Sequence, residues 1–127
     1  MGAFSGCTNL KKVVLPHTIT AIYGNTFGGC TSLESIVIPE TVLCIMENAF
    51  RDTGIKYVYI HEALDDLIRN AFDSDCVLLC EGADAHPLWR KDWNTYETVI
   101  FGVAGVEEEG GVIYAVLKDG SRVKISE

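Results

Sequence analysis

The chain has 127 residues, a length that suits one compact unit or a short repeat array, and 48% of its residues are apolar. Its net charge of −8 argues against nucleic acid and anionic membranes as partners, because phosphate groups are bound by clustered Lys and Arg. No apolar run reaches the ~18 residues of a membrane-spanning helix, and no secretory signal opens the sequence, so we expect no membrane insertion.

A repeat of 23 residues begins near the N-terminus. Residues 3–25 and 26–48 are aligned copies in which 10 of 23 positions are identical, and a third copy, one residue shorter, begins at Ala49. Self-similarity at a period of roughly 20 to 50 residues is typical of repeat architectures such as solenoids. The sequence therefore predicts a β-rich solenoid with coils of ~23 residues.

The first half of each copy predicts a short strand. Residues 10–16 alternate in polarity, are rich in β-branched side chains and end in Pro, which has no N–H to give to a strand ladder. Residues 33–39 and 55–61 correspond to them in the next two copies. The pattern points Leu10, Val13 and Leu15 inward and Lys12 and Val14 outward.

The second half of each copy holds a short apolar pair, followed by an aromatic residue that opens the next turn. The pairs are Ile19 with Ile22, Val42 with Ile45, and Leu64 with Leu67. The aromatic residue is Phe every time, and the four rings should stack along the axis of the solenoid: Phe4, Phe27, Phe50 and Phe72.

The outward side chains of the first strands should form one side of a small parallel sheet. Three cross-strand ladders follow from the register: Lys11–Glu34–Lys56, Lys12–Ser35–Tyr57 and Val14–Val37–Tyr59. The first ladder alternates in charge, so neighbouring side chains attract, and it should help to fix the register of the strands.

The motif A-F-x-x-C-x-x-L-x-x-[IV]-x-[IL]-P-x-x-[IV]-x-x-I over residues 3–72 resembles the BspA-like leucine-rich repeats of bacterial and protozoan cell surfaces. The resemblance implies a right-handed leucine-rich repeat array whose parallel strands line one face. It also implies a protein that is at the cell surface or secreted and that binds host or neighbouring-cell proteins.

The third copy departs from the motif, since His61 replaces Pro and residues 62–72 also carry apolar side chains at helical spacing. A helix and a strand with a turn are both compatible with this segment, and the register of Leu64, Leu67, Asn70 and Phe72 favours the repeat. The repeats are assigned to residues 1–72, and the last one is irregular, as is common at the end of an array.

Residues 73–103 resemble the C-terminal cap of the same family. Residues 76–80 predict a closing strand, residues 87–94 a short helix or turn, and residues 99–102 a returning strand. Trp89 and Trp93 are four residues apart and should lie over the open end of the core, which would otherwise expose its apolar interior.

Residues 104–127 predict a hinge and a β-hairpin. The segment Glu107–Gly111 is polar and Gly-rich, which is typical of a hinge. Residues 112–117 and 122–125 alternate as strands do, with Asp119 and Gly120 in the turn between them. A lone hairpin is only marginally stable, so this one should pack on the cap, on a partner or on a further domain.

Five cysteines leave at least one thiol unpaired within the chain. Cys7 and Cys30 occupy equivalent positions, so they should lie one above the other as two buried thiols rather than as a disulfide. Cys76, Cys80 and His86 form a weaker candidate metal site, because no fourth ligand is evident. Two cysteines at the ends of one strand would also lie ~13 Å apart.

No catalytic centre emerges from the sequence. His61 and Glu62 begin an H-E-x-x-H zinc motif, but Asp65 replaces its second His. No nucleophile elbow, phosphate-binding loop or complete calcium loop occurs. We therefore expect neither an enzyme nor a cofactor or metal site.

The strand-lined face is the candidate binding surface for a protein partner. Its outward side chains are Lys12, Val14, Ser35, Val37, Tyr57 and Tyr59. Tyrosine is favoured at binding hot spots, although the C-terminal hairpin or neighbouring strands could instead cover Tyr57 and Tyr59. We expect a module that adheres to a host matrix or cell-surface protein.

The alternative to a binding module is a structural spacer, in which the repeats project another domain from the cell surface. A further prediction concerns the open N-terminal edge, where Phe4, Leu10 and Val13 are uncovered. We expect this edge to self-associate with another chain or to fray.

Overall fold

The computed structural model describes residues 4–68, 70–89 and 92–126, and this part of the chain contains nine β-strands and no helix, hence none that could cross a membrane. The strands are β1 Ala21–Ile22, β2 Cys44–Ile45, β3 Tyr57–Ile60, β4 Asp66–Leu67, β5 Val77–Cys80, β6 Val99–Ile100, β7 Val103–Glu109, β8 Val112–Leu117 and β9 Arg122–Ser126. They form two parallel sheets, β1-β2-β4 and β3-β5-β6, and one antiparallel sheet, β7-β8-β9.

A column of four Phe rings runs through the core, as the repeat predicts. Ring centroids are 5.4 Å apart between Phe4 and Phe27, 5.2 Å between Phe27 and Phe50, and 4.8 Å between Phe50 and Phe72. The rings of each pair are nearly parallel, and the last three are fully buried. Each copy therefore adds one layer to a stack, and we call these layers coil 1 (residues 4–25), coil 2 (26–48) and coil 3 (49–70).

Backbone hydrogen bonds tie the Phe of one coil to the residues that follow that coil. The Phe27 amide donates to the Ala49 carbonyl, and the Phe50 amide donates to the Ala71 carbonyl, both at 2.8 Å. Each coil ends at an Asn with positive φ, two residues before the Phe that follows the coil. The φ values are 61° at Asn25, 63° at Asn48 and 59° at Asn70. Asn tolerates this left-handed conformation better than most residues, which explains why it recurs once per coil.

The parallel ladder between the coils lies at a different place from the predicted one. Residues 10–15 and 33–38 form no strand in the structure, and only residues 57–60 of the third copy do, as β3. The coils pair instead through β1, β2 and β4, in which Ile22 lies beside Ile45 and Ile45 beside Leu67. Alternating polarity determines which side chains turn inward, but it does not determine which backbone segments meet.

The third copy follows the repeat and not the helical alternative. Leu64 and Leu67 are fully buried, and Leu67 lies in β4. The chain then enters the predicted closing strand as β5, which pairs in parallel with β3 on one side and β6 on the other.

Two tryptophans pack against the end of the core, in a turn rather than a helix. The Trp89 indole N–H donates to the Leu64 carbonyl at 2.9 Å. The ring centroids of Trp89 and Trp93 are 4.8 Å apart, and Trp93 also contacts Phe101 edge-on at 6.5 Å. Both indoles pack on the buried cluster of the repeats, in agreement with the predicted closure.

The predicted hinge is wrong, because its three glutamates belong to a strand. Strand β7 runs from Val103 to Glu109 and pairs with β8. Gly110 and Gly111 both have positive φ and form the two-residue turn between these strands. The predicted hairpin of β8 and β9 is present, so the C-terminal unit is a three-stranded sheet.

The prediction of two buried stacked thiols is also wrong in part. Cys30 is buried and its thiol donates to the Phe4 carbonyl at 3.0 Å, whereas Cys7 is exposed. Coil 1 has a neighbouring coil on one side only in the described structure, so Cys7 lacks the layer that covers Cys30. All five cysteines are free thiols.

Candidate protein-binding face

Val14 and Val37 are the most exposed large apolar side chains in the described part of the chain, at 81% and 77%. They occupy equivalent positions in coils 1 and 2. Their neighbours in sequence, Leu15 and Ile36, turn toward the core, so the alternation of an extended segment presents the two valines to solvent.

A groove of about 280 Å³ lies between the two extended segments. Its lining includes four of the six predicted binding residues and two neighbours: Lys12, Val14, His17, Ser35, Val37 and Pro39. The structure therefore brings the predicted residues of coils 1 and 2 together at one site. No Asp or Glu lines this groove, although the chain carries 18 acidic residues against 10 basic ones.

The backbone beside this groove has open hydrogen-bonding groups. In the described chain, residues 11–15 and 34–38 make no backbone–backbone hydrogen bond, either with each other or with coil 3. Each residue other than Pro carries a donor and an acceptor that must find a partner in water or elsewhere. The two segments are thus extended chains with free backbone groups, beside exposed apolar side chains.

Tyr57 and Tyr59 lie in a different environment from the other four predicted residues. Both belong to β3, are half-buried, and pack with Leu79, Val103 and Ala115 beneath the C-terminal sheet. The Tyr59 hydroxyl donates to the Val103 carbonyl at 3.2 Å. Burial raises the pKa of Tyr59, and the nearby Glu81 carboxylate raises it further.

The outer side of the C-terminal sheet carries its own charged cluster. The Arg122 guanidinium lies 4.1 Å from the centroid of the Tyr114 ring and 3.6 Å from carboxylate oxygens of both Glu107 and Glu109. These contacts join all three strands, because Arg122 is in β9, Tyr114 is in β8 and the two glutamates are in β7. They explain how a run of glutamates, which have low strand propensity, is accommodated in β7.

A smaller cavity of about 190 Å³ lies beside the end of β3 and includes His61, Glu62, Cys80 and His86 in its lining. Among the described residues, no three His, Cys, Asp or Glu side chains are grouped so that they could hold a metal ion. Burial raises the pKa of both Cys76 and Cys80 to about 12. The thiolate, which is the form that binds a metal or acts as a nucleophile, is therefore harder to form at these two residues than in an exposed cysteine.

Comparison with known families agrees with the repeat architecture. The family model described as BspA type leucine rich repeat region, six copies, matches residues 1–79. The chain belongs to the BspA-type leucine-rich repeat family. The family match extends through the third copy into β5, so it includes part of what the sequence assigned to a cap.

A solved structure shares the fold of this BspA-type chain. It is a leucine rich cell surface protein from Faecalibacterium prausnitzii, with a TM-score of 0.57 and 23% sequence identity. The alignment covers 98% of this chain and 28% of the other protein, so the chain spans about a quarter of the length of that relative. No curated protein matches the chain.

Proposed function

We propose that this chain is a non-enzymatic protein-binding module of a cell-surface leucine-rich repeat protein. Its partner would be a protein of the host matrix or of a neighbouring cell, and it would dock over the groove between coils 1 and 2. The cell-surface location is carried over from the family and from the description of the structural relative.

The observation that carries this proposal is the exposed pair formed by Val14 and Val37. Contiguous exposed apolar surface marks interaction sites, and here it borders a groove with open backbone groups. The equivalent surface of coil 3 is covered by the C-terminal sheet, which packs on Tyr57 and Tyr59. The proposed contact surface is therefore narrower than the sequence predicts and is centred on Lys12, Val14, Ser35 and Val37.

The test is binding of the full chain to an immobilised panel of extracellular-matrix and epithelial surface proteins. The variant combines Val14→Ser with Val37→Ser, which should leave the fold intact because both side chains are exposed. Leu88→Ser is the matched control, since Leu88 is also 68% exposed but does not line the groove.

The proposal predicts saturable binding that the double variant loses and the control keeps. Equal binding by all three proteins would place the contact elsewhere. A lack of binding by the native chain to every panel member would favour the alternative that the repeats are a spacer.

A further inference from the structure

We infer that the groove between coils 1 and 2 takes an extended peptide segment of the partner that carries one carboxylate and, two residues away, an apolar side chain. This inference rests on the proposed function and specifies the partner's chemistry. Three features of the groove lead to it: its charge, the spacing of its side chains and its open backbone.

The charge of the groove opposes the charge of the chain as a whole. Lys12 and His17 line it, and no carboxylate does. Among the described residues Lys12 has no ion pair, and the residue of coil 2 at the equivalent position, Ser35, is uncharged and lines the same groove. The neighbouring Lys11 lines another surface depression together with Glu34. Lys12 is therefore available to form an ion pair with a carboxylate of the partner.

The overall charge also limits how acidic the partner segment can be. A chain with a net charge of −8 repels a run of carboxylates at distances up to the Debye length, about 10 Å at 0.1 M salt. A single carboxylate placed at Lys12 gains the local attraction with little of this repulsion. The segment should consequently carry one acidic residue among neutral ones.

The spacing of Lys12 and Val14 sets the spacing in the partner. In an extended chain, residues i and i+2 point to the same side and lie about 6.6–6.8 Å apart. A partner segment that is also extended can place a carboxylate at Lys12 and an apolar side chain against Val14 and Val37. For this, the acidic residue and the apolar residue of the partner must be two positions apart.

The open backbone favours an extended partner over a helix or a globular surface. Residues 11–15 and 34–38 leave their N–H and C=O groups without partners in the described chain. An extended peptide presents the same groups along its length, and strand-like pairing of this kind is a recurrent mode of peptide recognition. A helix has already used its backbone groups internally.

The experiment is an NMR titration of the full ¹⁵N-labelled chain with synthetic eight-residue peptides of Ser and Thr. The first peptide contains a single Glu and, two positions later, a single Val. The second has Gln in place of Glu. Both are titrated into the native chain, Lys12→Ala and Lys118→Ala, the last being a matched control because Lys118 is exposed in the β8–β9 turn.

We expect saturable shifts at residues 10–15 and 33–38 and a Kd for the Glu peptide two- to fivefold lower than for the Gln peptide, the size of an exposed ion pair. Lys12→Ala and 1 M NaCl should each abolish this difference, and Lys118→Ala should keep it. Equal Kd values for the two peptides, an unchanged ratio in Lys12→Ala, or no saturable shift in these segments would overturn the inference.

The proposed function fails separately from this inference. In one case, Val14→Ser with Val37→Ser abolishes binding to a panel protein while the Glu and Gln peptides bind equally. This result supports the proposed function and rules out the inferred carboxylate in the partner segment. In the other case, the groove binds the Glu peptide more tightly than the Gln peptide, but Val14→Ser with Val37→Ser leaves panel binding unchanged. This result supports the inferred peptide preference of the groove and rules out docking of the panel protein there.

Discussion

The Tyr59 hydroxyl donates a hydrogen bond to the Val103 carbonyl at 3.2 Å, and this bond joins the repeats to the C-terminal sheet. Val103 is fully buried and begins β7, so the contact lies in the interface between the two units. Tyr59 is therefore half-buried, and its hydroxyl is engaged within the molecule. The proposed binding face is consequently limited to coils 1 and 2.

Tyr59→Phe should lower the free energy of unfolding by about 1–2 kcal/mol, because the buried Val103 carbonyl would lose its hydrogen-bond donor. Urea denaturation followed by circular dichroism measures this change. Tyr23→Phe is the control, since Tyr23 is exposed, and it should have no measurable effect. Equal stability of Tyr59→Phe and the native chain would show that the hydroxyl does not stabilise the interface.

Phe50→Leu should cost about 1–3 kcal/mol of unfolding free energy. Phe50 stacks on two rings, Phe27 and Phe72, and each aromatic pair contributes about 0.5–1.5 kcal/mol beyond the area it buries. Phe4→Leu should cost less than half as much, because Phe4 has one stacking partner and is 46% exposed. Similar losses in the two variants, measured by urea denaturation, would contradict a core organised around the column of rings.

Asn48→Gly should leave the chain more stable than Asn48→Ala by about 1 kcal/mol or more. Asn48 has φ of 63°, which penalises Ala but not Gly, and its buried side-chain oxygen has no hydrogen-bond partner. The same two substitutions at Asn9, which is exposed and does not have positive φ, should give the opposite order. Thermal unfolding of the four variants tests this, and equal melting temperatures for the two Asn48 variants would be the contrary result.

The stability of the chain should fall as the pH rises above about 9. Burial raises the pKa of Cys76 and Cys80 from 9.0 to about 12. The native state therefore holds these protons after the unfolded state has lost them, and the stabilisation present below pH 9 is lost between pH 9 and 12.

Urea denaturation in reducing buffer at pH 7, 9 and 10 tests this dependence, with Cys76→Ala and Cys80→Ala as comparisons. Each variant starts from a lower stability, because a buried side chain is shortened, but it should lose less stability per pH unit than the native chain. Parallel curves for the native chain and both variants would mean that these thiols titrate normally.

The repeat register made much of the architecture predictable. It placed the four Phe rings in one column, and it favoured the repeat over a helix at Leu64 and Leu67. The four-residue spacing of Trp89 and Trp93, in a segment that resembles the family's cap, placed the two indoles at the end of the core. These features follow from side-chain polarity and period, which a sequence displays directly. The right-handed winding that the family resemblance implies stays a prediction.

Features that depend on backbone pairing could not be predicted in the same way. Residues 10–15 and 33–38 have the side-chain pattern of strands, but the ladder between the coils formed at Ile22, Ile45 and Leu67. Whether a segment pairs depends on how the neighbouring coil presents its backbone, which the local sequence does not specify. The recurring Asn at 25, 48 and 70 was a visible signal of this geometry, because left-handed turns favour that residue.

Only part of the candidate site could be predicted, because the sequence does not show which segments pack on one another. Lys12, Val14, Ser35 and Val37 share one groove as the register implied, whereas Tyr57 and Tyr59 are covered by a sheet that includes the glutamates of β7. Those glutamates suggested a hinge because they form a polar, Gly-rich segment with Gly110 and Gly111. The compensating contacts come from Arg122 and Tyr114, on other strands. The Gly110–Gly111 pair between two alternating segments was the available signal for a hairpin.

The most direct test of the account is hydrogen–deuterium exchange of the full chain, alone and with a surface protein that it captures from the panel. In the free chain, amides of residues 11–15 and 34–38 should exchange faster than those of β3 and β5, because they lack backbone partners. Binding should slow exchange in those two segments and leave residues 103–126 unchanged. Protection confined to the C-terminal sheet, or an unchanged exchange rate at residues 11–15 and 34–38, would contradict binding at the groove between coils 1 and 2.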